Sequence, residues 1–322
     1  FRPADRFPTY EWAGWWDKTI NRWHEEGLPD GIDINAYFGQ DAVHQFNLPI
    51  RLRECPQPPG EGAGIMETPE DYHKLKAYLY GDQLITEAGT ALARFAEDEK
   101  RQDTVVWFTL EGFFWFPRTL FGIENHFYAF YDYPDLMLEI NRDLCEYYKK
   151  LLPEVFRHLR PAYMTFAEDM SYNHGAMLSK DQFDRFLLPF YRELVPVIQA
   201  QGTRVFIDTD GFVEPLIPWF REAGIEGVLP LERMAGVDVC RIRRNYPDFL
   251  MIGGFDKTVM HMGEAAMRKE FERILPAIRS GGYIPSVDHQ TPPDVSMENY
   301  RVFMRLLKEY SSQYGMDLQN GI

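Results

Sequence analysis

From about residue 104 to residue 289 the chain repeats one pattern. A short β-branched or aromatic run ends in an acidic residue, and a longer stretch of helical periodicity follows. Parallel strands need a crossover connection, and a helix is the compact way to make one, so this alternation specifies βα units around a parallel sheet. The strand candidates are Thr104 to Leu110, Ala162 to Ala167, Arg204 to Ile207, Gly227 to Leu231, Phe249 to Gly253 and Tyr283 to Val287. The expected architecture is a (β/α)8 TIM barrel in one domain spanning 1–322, with regular βα units over 101–322 and an irregular opening over 1–100. A separate N-terminal cap domain is the alternative for the opening segment.

The helical stretches carry their own punctuation. Ser179 and Gln182 form a capping box, and Phe183, Phe186, Leu187, Phe190, Leu194 and Ile198 follow helical spacing as far as Gly202. Pro189 and Pro196 should kink or split that helix. Further helices are expected from Glu264 to Arg279 and from Met297 to Tyr314, with another around Pro69 to Glu97.

Composition narrows the function. The 34 Lys and Arg against 49 Asp and Glu leave a formal charge of -15, which draws the chain toward neither nucleic acid nor an anionic membrane. No apolar run approaches the roughly 20 residues that span a bilayer. The opening residues, from Phe1 to Arg6, lack the apolar stretch of a secretory signal. Cys55, Cys145 and Cys240 lie far apart without a C-x-x-C pair, which suits a reducing compartment and a cytoplasmic protein. A P-loop, a G-x-G-x-x-G after a strand, H-E-x-x-H and G-x-S-x-G are all missing, so nucleotide hydrolysis, simple dinucleotide chemistry and serine hydrolysis leave the front rank. A small-molecule substrate is expected.

In a barrel of this kind the catalytic groups sit where strands run out into loops, because those ends converge on one face. Reading the strand ends gives Glu168-Asp169, Asp208-Thr209-Asp210-Gly211, Glu232, Asp256-Lys257 and Asp288-His289, with Glu111 after the first run. Any one acid can be no more than a helix cap or a surface ion pair. Five in succession weaken that explanation, because converging carboxylates repel and need a raised pKa, a basic partner such as Lys257, or a cation. Asp208 and Asp210 lie two apart and face the same way if the strand continues through Thr209. With His289 they form a two-carboxylate, one-imidazole set that suits Zn, Mn, Fe or Co, zinc first among them, and that works equally as metal-free acid and base. Glu168 is placed to complete the set or to act as the proton carrier. Trp12, Trp15, Trp16 and Trp23 make an aromatic-rich entrance; Trp12 joins Glu111, Glu232, Asp256 and Lys257 as a substrate-binding candidate, although aromatic packing alone also explains these tryptophans.

The stretch Gly282 to Tyr300, with Glu168-Asp169-Met170 and Ile252-Gly253-Gly254-Phe255-Asp256, resembles the uroporphyrinogen decarboxylase superfamily, which also holds methyltransferases that pass methyl groups between corrinoid proteins and thiols. The resemblance implies a barrel enzyme. His289 falls where the decarboxylases place a site histidine and the methyltransferases their last zinc-binding cysteine. Asp208 and Asp210 fall on the methyltransferases' His-x-Cys zinc pair, so a metal here would meet oxygen and imidazole instead of thiolate. The decarboxylases' early Arg-Gln-Ala-Gly-Arg signature would lie near Tyr10 to Trp16, where this chain reads Tyr-Glu-Trp-Ala-Gly-Trp-Trp without an arginine. Three readings follow. The first is a methyltransferase-like enzyme with a corrinoid protein as methyl donor or acceptor, in which Asp208, Asp210 and His289 hold a divalent metal or act as acid and base. The second is a cofactor-free decarboxylase of a porphyrinogen-like or aromatic carboxylate. The third is a non-catalytic corrinoid-binding protein.

Overall fold

The computed structural model describes residues 5–99 and 104–319. Its frame is a curled sheet of parallel strands: β1 (Val43–Asn47), β2 (Val105–Glu111), β3 (Tyr163–Ala167), β4 (Arg204–Asp208), β5 (Gly227–Leu229), β6 (Leu250–Phe255) and β7 (Tyr283–Val287). Neighbours in the sheet are neighbours in sequence, as successive βα units require. Six of these strands match the expected runs to within a residue or two. β5 is shorter than expected because the chain turns at Pro230 and takes a left-handed backbone at Leu231, φ 67°.

The expected eighth strand does not form among the described residues, and the sheet has seven. Residues 9–12 lie in the gap between β7 and β1, held mainly through side chains. On one side the Thr9 N–H donates to Asp41 Oδ2 (2.6 Å) and the Glu11 N–H to Gln40 Oε1 (3.1 Å). On the other the Trp12 N–H donates to Ser286 Oγ (3.3 Å) and Trp12 Nε1 to the Val287 carbonyl (2.9 Å). The irregular opening therefore bridges from the segment just before β1 to β7, at the two edges of the curled sheet, and also supplies β1.

Period-two alternation sorts the strand residues between two cores. Met164, Phe166, Val205, Ile207 and Val228 face the helices and join the large outer core, while Trp107, Tyr163, Phe206, Leu229 and Ile252 fill the barrel interior. Trp107 stacks on Tyr163 with ring centroids 5.0 Å apart, and these rings plug the barrel below the strand ends. Register places Glu111, Ala167, Asp208 and Leu229 level with one another on the top rung. That rung is the floor of what lies above it.

Two expected helices are divided. The helix begun by the Ser179 capping box breaks at Leu187 into Lys180–Phe186 and Leu188–Gln199, with Pro189 in the first turn of the second half. The helix expected over Pro69 to Glu97 splits into Pro69–Leu75 and Asp82–Glu99, because Tyr80 adopts φ 63° and donates its N–H to the Ile50 carbonyl. The last two helices, Glu264–Arg279 and Met297–Gln319, begin where expected. Among the described residues no helix is long and apolar enough to cross a membrane.

Candidate active site

Above the top rung lies a cavity of about 260 Å³ lined by Trp12, Trp115, Ala167, Glu168, Asp169, Asp208, Asp210 and His289. Asp208 is the last residue of β4, and its carbonyl accepts the N–H groups of Glu168 (2.9 Å) and Asp169 (3.3 Å), which ties the β3 loop to the end of β4. Thr209 turns outward and is buried; its Oγ1 accepts the N–H groups of Met170 (2.9 Å) and Ser171 (3.1 Å). The alternation persists through it, so Asp208 and Asp210 both reach the cavity, as their spacing predicts. At Gly211, φ 79°, a Cβ would meet the Tyr172 backbone at 2.5 Å, so only glycine lets the β4 loop turn against the β3 loop.

The electrostatics of this cavity centre on Asp208. Its carboxyl oxygens accept no hydrogen bond from the described residues, and burial pushes its pKa well above the ordinary carboxylate value, with Asp210 and Asp169 adding repulsion and His289 opposing them. Burial and the neighbouring aspartates both favour the neutral form of the Asp208 carboxyl. His289 stands with Nε2 3.5 Å from Asp210 Oδ2, and that interaction raises its pKa against the effect of burial. The site thus sets a carboxyl group whose ionisation is disfavoured beside an imidazole whose protonation the neighbouring Asp210 favours. Trp12 meets His289 edge to face, with ring centroids 6.2 Å apart.

Glu168 also borders the cavity, but its oxygens are engaged elsewhere. They accept the N–H groups of Phe113 (2.7 Å), Phe114 (2.7 Å) and Trp115 (3.0 Å), and the Tyr191 hydroxyl donates to Oε1. Burial pushes this carboxyl up to about 7 while those four donors pull it down. It caps the helix Trp115–Phe121 and so fixes Trp115 in the cavity wall. Gly112 permits the approach, since a Cβ there would lie 1.9 Å from the Glu168 carboxyl carbon.

The remaining candidates are not among the residues that line the cavity. Glu111 pairs with Arg51 at 2.5 and 3.0 Å. Lys257 Nζ reaches Glu232 Oε1 at 3.2 Å and Asp288 Oδ1 at 3.7 Å. Asp256 caps its own turn through Thr258, at 2.9 Å to N and 2.6 Å to Oγ1. Asp288 is buried, accepts the N–H of Arg233 (2.8 Å) and of Lys257 (3.2 Å), and burial pushes it up to about 6 against the pull of Lys257. Zinc ligands lie roughly 2.0–2.2 Å from a common centre. Among the described residues no three His, Cys, Asp or Glu side chains are placed to hold a metal ion, Asp208, Asp210 and His289 included.

Two lining residues are not among the site candidates drawn from the sequence, although Asp169 is read there as a strand-end acid. Asp169 sits at φ 45°, a left-handed conformation uncommon for aspartate, and burial raises its pKa while Arg118 opposes the shift. Alternation counted past the end of β3 points to it: Ala167 faces inward, so the next inward position is 169 and not 168. Trp115 has no comparable signal, because its place depends on the Glu168 cap.

A family model described as uroporphyrinogen decarboxylase (URO-D) matches residues 91–310, which take in β2 to β7. Curated relatives named uroporphyrinogen decarboxylase include those of Pseudomonas entomophila and Pseudomonas putida, each 29% identical over 151 residues, and that of Chloroherpeton thalassium, 23% identical over 152. Each alignment covers 44% of this chain and 40% of the relative. Among solved structures, a methyltransferase from Methanosarcina mazei superposes with a TM-score of 0.59 at 12% identity, covering 96% of this chain and 95% of that one. A Listeria monocytogenes protein described as a candidate vitamin-B12 independent methionine synthase reaches 0.50 at 10% identity, covering 97% and 98%. These likenesses concern the fold alone.

Proposed function

Because this chain belongs to the uroporphyrinogen decarboxylase family, we propose that it is an acid–base enzyme in which Asp208 delivers a proton to a small aromatic or pyrrole carboxylate as carbon dioxide leaves. The observation that carries this reading is the Asp208 carboxyl bordering the cavity, without a hydrogen bond from the described residues and with its pKa raised by burial and two neighbouring aspartates. A carboxylic acid kept neutral near pH 7 is a competent general acid. In the proposed step the substrate ring carbon takes the Asp208 proton, the bond to the carboxyl group breaks, and its electron pair passes to the ring. Solvent then reprotonates Asp208. Trp12 and Trp115 give planar walls for a ring, and His289, beside Asp210, provides an imidazole N–H donor.

Size limits the substrate. A cavity of about 260 Å³ falls below the roughly 300–1,000 Å³ of sites for drug-sized ligands. It suits a single ring better than a tetrapyrrole, and none of its lining residues is an arginine or lysine that would pair with a polycarboxylate.

A second reading keeps the same acid. In methyl transfer from a small methylated compound to a corrinoid-bearing partner, Asp208 would protonate the departing atom. The observation favouring it is Asp169, which with Asp210 borders the cavity and would repel a substrate carboxylate more than a neutral methylated one.

The test is carbon dioxide release from single-ring aromatic and pyrrole carboxylates in the presence of EDTA. Release that persists in EDTA and falls at least about 100-fold in Asp208→Asn is the expected result. Undiminished release from Asp208→Asn would overturn the assignment of Asp208. No release from any acid, with demethylation once a corrinoid protein is added, would select the second reading.

A further inference from the structure

Glu11 lies outside the cavity and takes no part in the proposed reaction, yet it is among the most heavily buried carboxyl groups of the chain, at 8% exposure. Its Oε2 accepts the Ser286 hydroxyl at 2.7 Å and the Val287 N–H at 3.1 Å, and its Oε1 is buried without a partner. The next residue returns both bonds. The Trp12 N–H donates to Ser286 Oγ at 3.3 Å, and Trp12 Nε1 donates to the Val287 carbonyl at 2.9 Å. Four hydrogen bonds thus join two consecutive residues of the N-terminal segment to the last two residues of β7, directly before Asp288 and His289. Among the described residues no sheet ladder supports this junction. The Trp12 ring meets His289 edge to face next to this clasp.

We propose that Glu11 is a positioning residue which, through Ser286 and Val287, sets Trp12 against His289 and so fixes one wall of the cavity. The functional weight of that wall rests on the cavity being the active site; the clasp itself does not. A carboxyl group is used here because one oxygen must accept from a hydroxyl and an amide together, which a glutamine carbonyl can also do and an alanine cannot. Burying it costs free energy, and it is retained where backbone pairing is missing.

The test is solvent exchange of indole N–H groups by NMR on the full chain, with the Trp12 signal assigned by its loss in Trp12→Phe. Trp23, whose Nε1 donates to the Val295 carbonyl at 2.9 Å elsewhere in the core, reports on the fold as a whole. Protection of the Trp12 indole should fall about tenfold or more in Glu11→Ala and in Ser286→Ala, with Trp23 unchanged, and Glu11→Gln should stay within about twofold of the parent. Unchanged Trp12 protection in both truncations would overturn the proposal. So would parallel loss at Trp12 and Trp23 in both, or a Glu11→Gln variant that behaves like Glu11→Ala. The measurement needs no substrate, so failure of the clasp and failure of the acid–base reading are separately visible.

Discussion

Asp208 and Asp210 are two residues apart on one strand and its extension, yet their surroundings differ. Asp210 faces a protonatable imidazole, while Asp208 faces carboxylates and the buried floor. Difference in environment is what lets paired titratable groups take separate roles. Removing the partner charge should therefore act on His289 directly. In Asp210→Asn the His289 pKa should move down toward the ordinary imidazole range, read from its ring proton shifts by NMR; an unmoved titration would show that Asp210 is not its partner. The aspartates and the histidine were legible in the sequence because strand ends can be read from hydrophobic runs. From the end of β3 the sequence reading takes Glu168 as the site acid, whereas period-two alternation names Asp169 as the inward residue. The engagement of Glu168 with three backbone amides was not legible, because it depends on the fold of a loop more than fifty residues away.

Each cavity wall rests on an element held by a buried carboxyl group. Glu168 anchors the helix that carries Trp115, and Glu11 anchors the segment that carries Trp12. The approach of Glu168 requires the absence of a side chain at Gly112. Gly112→Ala should cost about 1–3 kcal/mol in urea denaturation through the clash with that carboxyl group. Stability equal to the parent would mean that the loop yields without strain. The helical elements were read well where caps and prolines mark their ends, as at Ser179 and Pro189. Reading failed at Tyr80 and at the missing eighth strand, where a left-handed residue and side-chain hydrogen bonds replace regular backbone pairing, and neither leaves a periodic trace.

Over the whole molecule the buried acids leave a mark on stability. Glu11 is pushed up to about 8, Glu168 to about 7 and Asp288 to about 6, each mainly by burial. Each binds its proton more tightly in the folded state than in the unfolded one. The associated stability is fully present below the unfolded values and is lost as pH rises through the folded ones. Surface carboxylates such as Asp41 and Glu309, whose pKa values are lowered, act in the opposite sense, but their contribution is complete above the unfolded carboxylate range. The urea midpoint should therefore decline between about pH 5 and pH 8, and Glu11→Gln should flatten the upper part of that decline. A midpoint that rises over this range would contradict these assignments. The parallel sheet itself was plain from the sequence, since alternation of runs and helices leaves few other architectures. The proposed reaction depends on one carboxyl group staying neutral. The most direct test is a carboxyl carbon NMR titration of aspartate-labelled protein, with the Asp208 signal assigned by its loss in Asp208→Asn. Asp208 should remain protonated at neutral pH. Ionisation in the ordinary carboxylate range would contradict its role as the acid.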